Sequence, residues 1–250
     1  MLARAGLTAR GVIYILIGWV AILVALGQSS HQANQQGALQ LLAGKSYGLV
    51  SLWLLAIGFA GYALWRLSEA IFGIAGAENG AGPRLKSLGR AVLYAGFAFL
   101  AIKVISGAHS NQTRQQQELT AKIMQHPAGR WLIGIIGLLV VIAGVALAVQ
   151  GLRRTFMKNV QTPQMTRTQR RIVEWLGVIG TVARGVVFAL AGALVIDAAV
   201  TFKPAKSGGL DKALLTLRDQ PFGVVLLILV AVGLIIFGIY GLCEARWRKV

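Results

Sequence analysis

Six long apolar runs divide the chain, at about 11–27, 50–73, 91–107, 131–152, 177–200 and 222–243. Each comes close to the ~20 residues that a helix needs to cross the ~30 Å hydrocarbon core of a bilayer. None alternates apolar and polar positions as a half-buried strand would, and the plentiful Gly and Ala are tolerated in membrane helices. The pattern predicts an all-α integral membrane bundle of six transmembrane helices, a single membrane domain over 1–250. The first run, with Arg4 and Arg10 before it, has the outline of a signal peptide. Its apolar stretch of 16 residues from Gly11 to Leu26 exceeds most such regions and its pattern recurs twice further on, so it is expected to be retained.

The runs are related to one another. Arg10-Gly11 with Tyr14 and Gly18 matches Arg90-Ala91 with Tyr94 and Ala98, and both match Arg184-Gly185 with Phe188 and Gly192. The even-numbered runs align from Gly48, Gly129 and Gly223, and 21 residues beyond those glycines stand Glu69, Gln150 and Glu244. Three tandem repeats result, over approximately 5–76, 85–157 and 179–250. Each is a helical hairpin that crosses and returns, so the copies are parallel and a pseudo-threefold axis along the membrane normal is predicted. Small residues at helical spacing (Gly185, Ala189 and Ala193; Ala91 and Ala95; Gly58 and Gly61) let helices approach closely. The loops inside the hairpins run to roughly 20 residues, long for a bundle. Each contains a short amphipathic piece, 37–42, 118–124 and 211–217, expected to lie flat on the outer interface. The segment from Arg167 to Trp175 is likewise basic and amphipathic.

Arg-Gly-x-x-Tyr-x-x-x-Gly, an outer Gly-Ala-Leu piece, and Pro-x-Gly leading a Gly-rich helix, repeated three times, resemble domain-of-unknown-function family 1206 of uncharacterised bacterial membrane proteins. The resemblance covers almost the whole chain. It departs in the middle repeat, which has Ala91 and Ala98 where the others have Gly and lacks the Gly-Ala-Leu piece. It implies a bacterial plasma (inner) membrane location and no activity.

Composition agrees with the runs: 56% of the 250 residues are hydrophobic and 13% charged, about half the charged share of a soluble domain. The charge itself is lopsided, with 25 Lys and Arg against 8 Asp and Glu, a net +17. The basic residues sit in short segments between apolar runs, so anionic lipid head groups are the expected partner, with room for a membrane protein partner, and nucleic acid is not. More of them fall with the termini and the loops at 74–90 and 152–184 (Arg84, Lys86, Arg153, Arg154, Lys158, Arg170, Arg171, Arg246 and Arg248), which places N- and C-terminus in the cytoplasm. A lone Cys243 excludes an intrachain disulfide.

Ionisable residues inside the runs are the default place to look for function in a membrane protein, and two of them stand at equivalent positions toward the outer ends. Lys103 and Asp197 each stand 13 residues beyond their repeat's arginine, where the first repeat has Leu23. Equivalent positions face one another in a threefold bundle, so an intramembrane pair is one expectation; Lys103 snorkelling to the outer surface is the simpler one. The second constellation is Arg10, Arg90 and Arg184 with Glu69, Gln150 and Glu244, all near the cytoplasmic interface. These either anchor and clamp each hairpin or form an arginine ring for an anionic head group or other small anion. His31, His109 and His126 all lie in outer loops without metal-ligand spacing, so no metal and no cofactor is expected. The recurring Tyr14, Tyr94 and Phe188 suggest packing. No phosphate-binding loop or nucleophile–base pair is recognisable. The leading reading is a non-enzymatic scaffold or a partner- or lipid-binding membrane subunit. A small-solute or ion transporter or channel on the pseudo-threefold axis is the alternative, and a lipid-acting enzyme stands third. A continuous polar cavity along the axis would favour transport, and a dry, filled axis the scaffold.

Overall fold

The computed structural model describes residues 2–73, 81–107, 111–126, 128–160 and 165–247. Its elements are all helical: α1 (Leu2–Ala25), α2 (Gln35–Ala43), α3 (Gly48–Phe72), α4 (Ala81–Ile105), α5 (Gln112–Met124), α6 (Gly129–Leu152), α7 (Arg167–Thr201), α8 (Gly209–Arg218) and α9 (Gly223–Trp247). Short 3₁₀ turns occupy Thr155–Asn159 and Pro204–Lys206. Six helices (α1, α3, α4, α6, α7 and α9) are long and apolar enough to cross a bilayer. The basic stretch 167–175 is no separate surface helix: it is the first part of α7, which runs unbroken for 35 residues behind a capping box of Thr166 and Gln169.

The most extensive packing joins successive repeats. α3 packs on α4, α6 on α7, and α9 returns to α1, so the second helix of each repeat grips the first helix of the next. Within a hairpin the contact is smaller for α1 with α3 and for α7 with α9, and α4 and α6 hardly touch. Among the described residues the six long helices therefore form a ring closed at every neighbouring pair but one.

Stripes of small residues at seven-residue spacing explain two of the three inter-repeat contacts. On α6 and α7, Gly137 and Gly144 face Gly185, Ala189 and Gly192 while Gly151 meets Thr181 and Val182, and a Cβ added at Gly144 would lie 2.7 Å from the Gly185 carbonyl oxygen. On α1 and α9 the same holds for Gly11, Gly18 and Gly238, where a Cβ at Gly11 would stand 2.7 Å from the Gly238 oxygen. Such surfaces let backbones touch, which is how helices associate where lipid removes the hydrophobic drive. The third contact has Ala56, Ala63, Ala91 and Ala98 at the corresponding positions, all buried. It adds aromatic packing, with Tyr62 and Tyr94 at 4.4 Å and Phe59 and Phe97 at 5.7 Å between ring centroids.

The short helices α2, α5 and α8 close one end of the bundle as a lid. Asn34 and Asn111 cap α2 and α5 by accepting from the Gly37 and Arg114 amides at 3.0 and 2.8 Å. Lid helices reach their spans through tight turns that glycine permits: a Cβ at Gly129 would lie 2.5 Å from the Ile123 carbonyl carbon, and one at Gly223 2.7 Å from the Leu217 oxygen. The three pieces were expected to lie flat on the interface, but they are bound to one another. Asp211 on α8, 5% exposed, accepts from the Ala33 amide at 2.7 Å and from the Thr113 hydroxyl at 3.0 Å, joining all three hairpin loops. Gln117 adds donations to the Ala205 and Ser207 carbonyls at 2.9 and 3.0 Å, and Gln32 donates to Asn111.

Candidate functional site

The lid and the ring enclose two adjoining chambers. The one under the lid has a volume of about 290 Å³. Its walls carry the aromatic side chains that recur in the repeats, Tyr14, Tyr94 and Phe188, with Leu93 and Phe97 from α4 and Val140 from α6. Its roof is amide-rich, with Asn34, Gln35, Gln112 and Gln116 supplied by two of the hairpin loops, and the third contributes Gly208 to Leu210. Toward the end that carries both termini lies a chamber of about 210 Å³, bordered by Arg10, Arg66, Arg90 and Arg184 together with Tyr62, Leu147 and Glu244. Leu93, Tyr94 and Arg184 border both.

The arginines are held differently. Arg10 on α1 donates through Nη2 to Glu244 Oε2 on α9 at 2.6 Å, closing the ring between the first and last spans. Arg66 on α3 is clamped on both sides: Nη2 donates to the Tyr62 hydroxyl at 2.8 Å and Nη1 to Glu69 Oε2 at 2.5 Å, with the Trp65 ring 4.3 Å away. Glu69 also accepts from the Ser87 hydroxyl of α4 at 3.1 Å. Arg184 has no carboxylate within ion-pair distance among the described residues. Its guanidinium lies about 5 Å from three ring centroids, those of Tyr14, Phe188 and Phe237, and its Nε is buried without a hydrogen-bond partner. Aromatic faces hold a cation in place without neutralising it.

Several expectations from the sequence need correction. The clamp foreseen inside each hairpin runs between repeats: Arg10 meets Glu244 of the third repeat, and Glu69 reaches Ser87 of the second. Gln150 stands exposed on α6 and does not border the arginine chamber, whereas Arg10, Arg90, Arg184 and Glu244 all do. Lys103 and Asp197 do not form the foreseen pair. Asp197 Oδ2 lies 2.6 Å from Lys206 Nζ, and the Lys103 ammonium sits 5.4 Å from the Phe99 ring centroid. The physical reason is that α4 and α7 are separated by the chamber, and the turn after α7 brings Lys206 back over Asp197. Arg66, Tyr62 and Leu147 escaped sequence reasoning as site residues. Arg66 falls inside an apolar run with Tyr62 one turn earlier, and that spacing is the signal that could have found the pair. His31 is partly exposed and His126 exposed, and His109 lies outside the described residues. Among the described residues neither a continuous polar pore nor a filled axis is formed: a polar arginine chamber adjoins a mainly aromatic one.

Comparison with known proteins adds a lineage. The family described as Domain of Unknown Function (DUF1206) matches the chain three times, over residues 5–73, 85–154 and 179–248. The chain is similar to the uncharacterized protein YxxB of Bacillus subtilis (strain 168), 31% identical over 250 residues that cover 99% of this chain and 90% of the relative. No solved structure matches it. With three matches that together take in most of its length, the chain belongs to the DUF1206 family of domains of unknown function.

Proposed function

We propose that the chain is a non-enzymatic membrane protein that holds an anionic ligand in its arginine chamber. It resides in the bacterial plasma membrane with both termini cytoplasmic, and its hairpins stand about an approximate threefold axis along the membrane normal. The cyclic order of packing (α3 on α4, α6 on α7, α9 on α1) supports that symmetry. One observation carries the anion reading: the Arg184 guanidinium lies against three aromatic rings, with no carboxylate within ion-pair distance among the described residues. Its Nε is buried without a hydrogen-bond partner, and a shielded donor on a cation is costly unless it gains a partner. An anion entering the chamber supplies that partner, and a guanidinium suits phosphate or carboxylate through parallel N–H donation.

The test is thermal unfolding of the protein in a neutral maltoside detergent, titrated with inorganic phosphate at constant ionic strength. A ligand at a hundred times its Kd stabilises by about 2.7 kcal/mol, so a saturating rise in Tm is expected. Arg184→Gln should abolish it and Arg184→Lys retain part of it. An unchanged Tm in the wild-type protein, or an equal rise in Arg184→Gln, removes the reading.

A further inference from the structure

We infer that the anion is the phosphate head of a membrane lipid, one of whose chains lies in the aromatic chamber after entering sideways between α4 and α6. This deepens the anion reading and rests on it. Three observations converge. First, the ring of spans is interrupted at one place only among the described residues, the junction of α4 and α6, where every other neighbouring pair is packed. Second, both edges of that junction are apolar and belong to the chambers. Leu93 and Phe97 lie one turn apart on α4, and Val140 and Leu147 lie two turns apart on α6. Leu93 borders both chambers and is still 50% exposed, which an interior wall residue would not be. An entrance with such edges admits a hydrocarbon chain from the bilayer and offers nothing to a hydrated ion.

Third, the two chambers are ordered as a lipid is ordered. The arginine chamber is bordered from the halves of the spans nearest the termini, by Arg10 in the first half of α1, Arg90 in the first half of α4 and Glu244 in the last turn of α9. In a bilayer with a ~30 Å core that half of the bundle is the one facing the head groups on the side of the termini. The aromatic chamber continues from there toward the middle of the membrane and is stopped by the lid. At about 290 Å³ it is at the small end of ligand sites, suited to one chain, leaving a second chain to trail through the gap into the bilayer.

The experiment repeats the unfolding titration with dodecyl phosphate beside inorganic phosphate, both in dodecyl maltoside. Burying an alkyl chain stabilises by ~0.8 kcal/mol per methylene before competition with the micelle. Dodecyl phosphate is therefore expected to act at concentrations at least about tenfold lower than inorganic phosphate. Arg184→Gln should remove both responses. Val140→Trp, which narrows the gap and the aromatic chamber from α6, a helix that carries none of the four chamber arginines, should remove the tenfold advantage while the response to inorganic phosphate stays; that retained response also shows the variant to be folded. If dodecyl phosphate is no tighter than inorganic phosphate, the lipid inference is overturned and the anion site stands. If the advantage survives Val140→Trp, the route and chamber assigned to the chain are overturned. If neither compound acts, the anion reading itself falls.

Discussion

Asp197 and Arg184 are both charged residues on α7, and their surroundings give them opposite roles. The Asp197 carboxylate is 44% exposed and pairs with Lys206, itself 36% exposed. Exposed pairs of this kind contribute ~0–1 kcal/mol because solvent screens the attraction and two flexible side chains must be held. Asp197→Asn is therefore expected to lower stability by less than about 1 kcal/mol, read as a Tm change in detergent, and Lys103→Met should behave similarly. A loss of several kcal/mol in either variant would mean that the charge sits in a dry site. Arg184 is held instead among the rings of Tyr14, Phe188 and Phe237 at the border of the two chambers. The sequence marked it through the repeat pattern, since its position, three residues before Val187 and four before Phe188, matches Arg10 before Tyr14 and Arg90 before Tyr94. The partner choices could not be read there. Which carboxylate meets which arginine depends on whether hairpins close on themselves or on their neighbours, and both arrangements share one sequence spacing.

Whole helices were the most legible level, because runs of apolar residues long enough to span a bilayer leave few alternatives to a helix. The lid helices α2, α5 and α8 were legible as amphipathic pieces, though a few residues too short at their starts. What pairs with what was only partly so: the glycine stripes announced close contact without naming the partner helix. The α6–α7 contact provides the test. At Gly144 a Cβ would stand 2.7 Å from the Gly185 oxygen, whereas one at Gly96 on α4 meets nothing within 4 Å. Gly144→Ala should destabilise the protein by about 1–3 kcal/mol, the usual cost of overpacking, and larger side chains should do worse. Gly96→Ala should be neutral or slightly stabilising, since alanine suits a helix better than glycine. Parallel thermal unfolding of the two variants checks both, and equal losses would contradict the packing described.

Across the whole molecule the lid is tied at Asp211. Its burial raises the carboxyl above its ordinary value, while hydrogen bonds from the Ala33 amide and Thr113 hydroxyl, and the charge of neighbouring Lys212, act in the opposite direction. A closed lid thus binds the proton more tightly than an open one does. Closure is weakest above the raised value, strengthens as pH falls through the window down to the ordinary carboxylate range, and is constant below it. Exchange of the Ala33 amide, corrected for its intrinsic rate, should show protection rising over that window. Asp211→Asn should flatten the profile, and a wild-type profile that is already flat would show that opening does not release this contact. None of this was visible in the sequence, where Asp211 is one acidic residue in a polar loop and its two partners lie 178 and 98 positions away.

The order of packing around the ring has a consequence for how such a chain can vary. Three separate copies of one hairpin, assembling with the second helix of each against the first helix of the next, would have three identical junctions, so a substitution loosening one would loosen all. Joining the copies into a single polypeptide removes that constraint. Two hairpins can retain their internal contact, α1 with α3 and α7 with α9, while the middle one lets α4 and α6 part, and Ala91 and Ala98 can replace glycines that its neighbours keep. A doorway on one side of the ring is thus open to a fused chain and closed to a symmetric trimer.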